Sequence, residues 1–184
     1  MQTSHNSSAP QRARPAQGPM AADLAVRATD IHWPAGFEPE RAALFAHNEA
    51  LVDAPCDTVW RHIIHARAWP DWYPNAHAIE LLDGAKTLAP GVRWRWTTFG
   101  LAIESRVHEF VAGRRLGWFG YVPGKLPAFY HTWLLVPEGE SCHVAMDETG
   151  VGPGAVAFRQ ADEGRMHRGH ALWLAALKWV SEGR

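Results

Sequence analysis

The sequence feature that most constrains the fold is a series of strand-length runs in the middle of the chain. Between residues 76 and 149, apolar and polar residues alternate with a period of two, and Gly or Pro residues separate one run from the next. Short connections make consecutive strands antiparallel neighbours. The pattern therefore predicts an antiparallel sheet. Its strands are expected over residues 76–82, 92–98, 101–111, 115–122, 128–136 and 142–149.

A short helical pattern precedes the predicted sheet. Val59, Trp60 and Ile63 recur at helical spacing, and a Trp-Pro-Asp-Trp sequence at 69–72 ends the pattern. We expect a helix there, followed by a second short helix over residues 71–75.

A longer helical pattern follows the predicted sheet. An apolar stripe that includes Met166, Trp173 and Leu177 runs through residues 158–181 and predicts one long amphipathic helix. The Gly-rich segment 150–154 is expected to be a turn before this helix, with a flexible lid as the alternative.

The first part of the chain has a different composition. Residues 1–30 are expected to be a disordered extension, since their start is rich in Ser, Pro, Gln and Ala and poor in large apolar residues. Residues 31–184 are then the folded domain. Within it, residues 42–52 are interpreted as the first strand. A helix over residues 40–50 is the alternative, because good helix formers follow Pro39.

Length and charge exclude several classes of protein. A chain of 184 residues with 47% hydrophobic content suits one domain. Its net charge of −1 disfavours nucleic acid as a partner, and no apolar run approaches the length of a transmembrane segment. Cys56 and Cys142 lie far apart without a paired motif, so we expect two buried free thiols and a cytoplasmic location.

The turn between the strands at 92–98 and 101–111 sets their register. A two-residue turn at Phe99-Gly100 places Trp96 opposite Ile103. Trp94 then lies opposite Ser105, on the same face. We expect this face to be the inner one, because it is apolar and aromatic.

The next connection extends the same face. Pairing of Phe110 with Arg115 sets Val107 opposite Trp118, and so brings Trp118 beside Trp94. The opposite face of these strands carries mainly charged residues, as expected of a half-buried sheet. These residues are Arg93, Arg95, Glu104, Arg106 and His108.

The last hairpin places an acid beside an imidazole. A loop over residues 138–141 sets Trp133 opposite Met146 and His131 opposite Glu148. The pair shares the inner face with apolar side chains, where a buried charge is costly unless it is paired. His131 and Glu148 are therefore the candidate catalytic residues, as a general acid/base couple, with a structural pair as the alternative.

Tryptophan is strongly over-represented. The chain has ten Trp residues, where ordinary composition gives about two or three. Large aromatic side chains fill cores, and they also line apolar ligand pockets. With their inward neighbours they form the predicted wall of a binding cavity. The candidate ligand-binding residues are Trp94, Trp96, Ile103, Ser105, Val107, Trp118, Trp133, Met146 and Trp173.

Two pairs of histidines have helical i, i+3 spacing. They are His62 with His65 and His167 with His170. Neither pair has a matched third ligand, whereas a zinc site needs three or four protein donors. We therefore expect no metal and no cofactor.

Several weak motifs occur in the order expected for one known family, over about residues 45–182. The sequence resembles the START-related SRPBCC superfamily, and more closely its polyketide cyclase/dehydrase and lipid-transport branch. The motifs are AP with VW and WP-x-W between Ala54 and Trp72, RWRW at 93–96, RLGWFG at 115–120, H-x-W-x-L-x-P at 131–137 and a Glu at 148 before Gly150.

The resemblance implies an α+β helix-grip fold. In this fold a curved antiparallel sheet of about seven strands encloses a cavity against a long C-terminal helix, and two short helices follow the first strand. Members of the branch share a His-x-Trp and a later Glu, which this chain matches at His131, Trp133 and Glu148. Fold alone does not decide function within it.

These observations predict a protein that binds a small hydrophobic ligand, lipid-like, aromatic or polyketide-like, in an internal cavity. The alternative is a polyketide cyclase/dehydrase-type enzyme that uses His131 and Glu148 for proton transfer. A weaker third interpretation is a protein-partner module. Trp179 lies on a flanking face of the last helix, where an exposed aromatic residue would suit a homodimer contact.

Overall fold

The computed structural model describes residues 19–126 and 128–183. The disorder predicted for residues 1–18 lies outside the described residues. Residues Pro19–Val26 form helix α1, which packs against the first strand, so this part of the predicted disordered extension is ordered. The protein belongs to the α+β class predicted for it.

Seven antiparallel strands form one curved sheet, in the order β1-β7-β6-β5-β4-β3-β2. The first predicted strand is confirmed. The helix alternative for residues 40–50 is wrong, because this segment forms the end of a short 3-10 turn, Pro39–Arg41, and then the strand itself. The strands are β1 Leu44–Val52, β2 His77–Leu81, β3 Arg93–Thr98, β4 Leu101–Val111, β5 Arg115–Tyr121, β6 Phe129–Glu138 and β7 Ser141–Gly150.

Two short helices follow β1, as predicted. They are α2, Cys56–Ile64, and α3, Trp69–Trp72, with the 3-10 turn Ala66–Ala68 between them. Helix α3 begins at Trp69, earlier than the predicted segment 71–75, because Pro70 is favoured in the first turn of a helix. The helix ends at Trp72, before that segment ends.

The single C-terminal helix predicted over 158–181 is two helices. Helix α4, Gly152–Ala161, begins inside the segment predicted to be a turn, with Pro153 in its first turn. Helix α5, Arg165–Ser181, is the long helix on which the sheet closes. Asp162 separates them: its backbone is extended, and its carboxylate accepts a hydrogen bond from the Gly164 N–H at 3.1 Å. The side chain thus satisfies backbone that would otherwise continue the helix.

The predicted register is confirmed at the turns that matter for the interior. Trp96 pairs with Ile103, Trp94 with Ser105, and His131 with Glu148. Between β4 and β5, Val107 pairs with Trp118, but Phe110 pairs with Leu116 instead of Arg115. A bulge between Val107 and Glu109 absorbs the difference, so the predicted pairing near that turn is wrong while the inner face is unchanged.

The outer face of the sheet is charged only in part. The predicted charged positions of β3 and β4 form ion pairs such as Arg95 with Glu104. Farther along the sheet, Trp33 and Phe37 from the segment before β1 pack on Tyr130 of β6. This segment therefore packs on aromatic side chains at the outer face of the sheet. The alternating pattern did not indicate this second apolar layer.

The two cysteines form a disulfide. Cys56 at the start of α2 is bonded to Cys142 of β7, with their Cα atoms 4.9 Å apart. The prediction of free thiols is wrong, because the fold brings together positions that are 86 residues apart in sequence. The cysteines therefore give no support to the predicted cytoplasmic location. None of the helices in residues 19–126 and 128–183 combines the length and the apolar character that a bilayer crossing requires.

Candidate functional site

A cavity of about 180 Å³ lies between the inner face of the sheet, α4 and α5. Because a cavity of about 10–15 Å³ holds one water molecule, this cavity has room for on the order of ten non-hydrogen atoms. Most of its walls are aromatic or aliphatic. The lining includes Trp96, Thr98, Phe99, Leu101, Ile103, Ser105, Trp118, Gly120, Val122, Phe129, His131, Glu148, Phe158, Met166, His170 and Trp173.

The mouth of the cavity lies where the β3–β4 turn meets α4. Leu101 and Val122 line it and are exposed, which connects the interior with the surface. Phe99 in the turn has a positive φ of 52°, and its backbone is held by Asn75 and by Arg165 of α5. The ring of Phe99 approaches α5 so closely that a Cβ at Gly169 would lie 2.3 Å from it. The turn is thus fixed against the helix beside the entrance.

His131 is placed by the middle of β6 and by the aromatic residues around it. It pairs with Trp118 across the β5–β6 ladder, and the two rings stack with centroids 4.4 Å apart. The Trp173 ring of α5 lies 5.3 Å from it on a tilted plane. Because these neighbours are rigid and buried, His131 has one defined orientation at the cavity wall.

Glu148 lies between two imidazoles. His131 Nδ1 is 2.8 Å and His170 Nε2 is 3.0 Å from the same oxygen, Oε2. On the other side of β7, Glu148 pairs with Ala46 of β1. The side chain of Glu148 is only 14% exposed. Three elements, β6, β7 and α5, therefore converge on one largely buried carboxylate.

Hydrogen bonding sets the charge of this cluster. Burial alone raises the pKa of the Glu148 carboxyl, but the hydrogen bonds from His131 and His170 outweigh it and lower the pKa to about 2. Burial lowers the pKa of the His131 imidazole by more than the bond to Glu148 raises it. At neutral pH, Glu148 is ionised and accepts a hydrogen bond from the Nδ1–H of neutral His131.

Several buried polar atoms of the cavity wall have no hydrogen-bond partner within the described part of the chain. They are His131 Nε2, His170 Nδ1 and Trp173 Nε1. Leaving a buried polar group unpaired costs about 1–3 kcal/mol, so these atoms are a local cost that the contacts of the described residues do not offset.

The predicted site residues divide into two layers. The cavity is lined by seven of them: Trp96, Ile103, Ser105, Trp118, His131, Glu148 and Trp173. The other four are buried on the inner face but do not line it: Trp94, Val107, Trp133 and Met146. Trp69 of α3 fills the space beside Trp94 and Trp118, which is why the wall begins one layer nearer the mouth.

His170 is the residue of the cluster that sequence reasoning missed as a site residue. Its helical spacing suggested a pair with His167, but His167 instead contacts Asp23 of α1 at 2.6 Å. The useful signal was the position of His170 on the buried stripe of the last helix, next to Trp173 in the following turn. Its ligand atom, with those of His131 and Glu148, forms a group within 4.8 Å that could hold a metal ion.

The chain belongs to the family described as polyketide cyclase / dehydrase and lipid transport, which it matches over residues 46–180. The resemblance and the helix-grip fold predicted from the sequence are confirmed. No curated protein is significantly similar to it in sequence.

Solved structures show the same fold. The hypothetical protein jhp0584 of Helicobacter pylori is 27% identical, with a TM-score of 0.76 over 85% of this chain and 98% of that one. Protein CV1439 of Chromobacterium violaceum is 17% identical, with a TM-score of 0.57 over 75% and 96%. DynU16, a protein from the dynemicin biosynthetic locus, is 20% identical, with a TM-score of 0.57 over 76% of this chain and 48% of its own.

Proposed function

We propose that this protein binds a small aromatic molecule that carries an oxygen group, with the ring in the cavity and the oxygen at Glu148. The observation that carries the proposal is the largely buried carboxylate of Glu148, which lines a mainly apolar cavity together with His131 and His170. Ligand pockets combine apolar walls with a few convergent polar groups in this way.

Size and chemistry narrow the ligand class. Room for on the order of ten non-hydrogen atoms suits one or two fused rings and excludes a long acyl chain held entirely inside. The flat walls offered by Trp96, Trp118 and Trp173 favour an aromatic ligand. An ionised Glu148 accepts a hydrogen bond, so the polar group is a hydroxyl or another donor.

The proposal predicts how Glu148→Gln changes binding. We expect 2-naphthol to bind the wild-type protein and to lose about tenfold in affinity in the variant, since a hydrogen bond to a charged group contributes about 1.5–3 kcal/mol. Naphthalene, which has no hydroxyl, is expected to bind both proteins equally. Isothermal titration calorimetry and quenching of tryptophan fluorescence measure the affinities.

The matched control is Glu49→Gln, at an exposed position of β1. It should bind 2-naphthol as the wild type does. Equal loss of 2-naphthol and naphthalene in Glu148→Gln would show that the variant disturbs the cavity itself, and unchanged affinity for both would remove Glu148 from the site.

A second candidate function is acid/base catalysis of the cyclase/dehydrase type. The observation that favours it is the neutral His131, whose lowered pKa makes it available to take a proton beside an ionised Glu148. In that case turnover of a polyketide-like substrate would vanish in Glu148→Gln while naphthalene binding persists. We also propose a cytoplasmic location and a homodimer contact through the exposed Trp179.

A further inference from the structure

The cluster at the back of the cavity has the composition of a metal site. It offers two imidazole nitrogens and one carboxylate oxygen from His131, His170 and Glu148, all within 4.8 Å of one another. Two histidines and a glutamate with an open fourth position are one of the ligand sets that bind catalytic zinc, and imidazole also suits other first-row divalent metals.

The two nitrogen–oxygen distances of the cluster are close to the distance between two ligands of a tetrahedral ion. Metal–ligand bonds of about 2.0–2.1 Å put two ligands of a tetrahedral zinc about 3.3 Å apart. In the structure, the His131 and His170 nitrogens lie 2.8 Å and 3.0 Å from Glu148 Oε2. For an ion to enter, each nitrogen–oxygen distance needs to lengthen by a few tenths of an ångström, and the two nitrogens, which lie within 4.8 Å of each other, need to stand about 3.3 Å apart.

Both rings can change tautomer without breaking other contacts. Coordination requires His131 Nδ1 and His170 Nε2 to give up their protons, which the rings can then carry on their other nitrogens. Those nitrogens, His131 Nε2 and His170 Nδ1, have no hydrogen-bond partner among residues 19–126 and 128–183. Without such partners we expect an affinity about 10–100-fold weaker than that of a site whose ligands are hydrogen-bonded from behind.

The local charge also favours a cation. In the described part of the chain, no Lys or Arg nitrogen lies within 4 Å of Glu148, whose ion-pair partners are His131 and His170. The partners of the carboxylate are thus imidazole groups alone, in surroundings where a charge without a strong counter-charge is costly. A divalent cation would supply the missing positive charge.

We propose that His131, Glu148 and His170 form a binding site for a divalent transition metal of the zinc type, with its free coordination position open to the cavity. All three residues line the cavity, so that position faces the space where a ligand would lie. The metal would bind the oxygen of that ligand. Only this contact with the ligand, and not the metal site itself, rests on the proposed function.

The test measures metal binding directly. Purified protein is stripped with a chelator and titrated with Co²⁺, followed by visible absorption, and with Zn²⁺, followed by calorimetry. We expect one ion per chain with the spectrum of low-coordinate Co²⁺, and an affinity at least about 100-fold weaker in His170→Ala and in Glu148→Gln. His167→Ala, on the same helix but bound to Asp23, is the matched control and should bind like the wild type.

Each result decides the proposal. Absence of stoichiometric binding, or equal binding by the wild type and His170→Ala, overturns it. His170→Gln, checked for folding by circular dichroism, replaces the alanine variant if that variant does not fold. Binding of 2-naphthol is measured separately on the stripped protein: metal binding without 2-naphthol binding overturns the ligand proposal and leaves the metal site, and the reverse result overturns the metal site alone.

Discussion

Replacing Trp173 by alanine is expected to lower the free energy of unfolding by about 3–5 kcal/mol, the range for a buried large-to-small change. Trp173 is 3% exposed and holds α5 against the sheet and α3 together. Its ring stacks on Tyr73 with centroids 4.4 Å apart, and it meets Trp69 and Trp133 edge-on at 5.2 Å each. Removing it opens a hole that these rigid rings cannot close.

The matched control is Trp179→Ala on the same helix. Trp179 is 55% exposed, so its loss is expected to change the free energy of unfolding by no more than about 0.5 kcal/mol. Denaturant unfolding followed by circular dichroism measures both variants without relying on tryptophan fluorescence. A loss below about 1 kcal/mol in Trp173→Ala would contradict the packing described.

Reduction of the disulfide is expected to cost about 2–5 kcal/mol of stability, because the bond between Cys56 and Cys142 closes a loop with a sequence separation of 86. For a chain of this size that corresponds to a fall in Tm on the order of 10 °C. Thermal unfolding with and without a phosphine reductant measures the difference.

The double variant Cys56→Ala/Cys142→Ala is the control for this experiment. It should unfold near the midpoint of the reduced wild type and should not respond to the reductant. Thiol titration in denaturant gives the decisive count: an absence of free thiols supports the bond, and two free thiols in protein purified without reductant would contradict it.

The sheet could be predicted from sequence because its information is local. Turns such as Phe99-Gly100 fix a register, and a period of two then assigns every side chain to a face. The pairing of His131 with Glu148 followed from the last hairpin in the same way. Because of the bulge between Val107 and Glu109, the predicted pairing was off by one residue from Glu109 to the turn, and it was correct again at Val107.

The features that sequence reasoning missed depend on contacts between distant segments. The disulfide and the Glu148–His170 contact join residues far apart in the chain, and no spacing rule connects them. The break between α4 and α5 depends on the side chain of Asp162 bonding to nearby backbone, which competes with an otherwise regular helical pattern. Local periodicity describes which face a residue occupies, but not what reaches that face from another element.

The aromatic core and the polar cluster have complementary roles in the account of function. Packing of Trp69 against Trp94 and Trp118 fills the deep end of the space between sheet and helix, and so makes a rigid floor. The cavity remains only between this floor and the mouth, beside His131 and Glu148. A ligand there would be held by apolar contact and oriented by the carboxylate, which is why specificity depends on few residues.

The central claim, that a ligand occupies this cavity, is tested most directly by filling it. Gly120 lines the cavity, and a Cβ there would meet only ordinary contacts, 3.7 Å from Phe129 and 3.9 Å from Ser105. Gly120→Leu is therefore expected to fold and to lower the affinity for 2-naphthol by at least about tenfold, since the added side chain occupies the space that the ring needs. Ala102→Leu, exposed on the same sheet, should bind like the wild type. If calorimetry finds the affinity of folded Gly120→Leu unchanged, the ligand does not bind in this cavity.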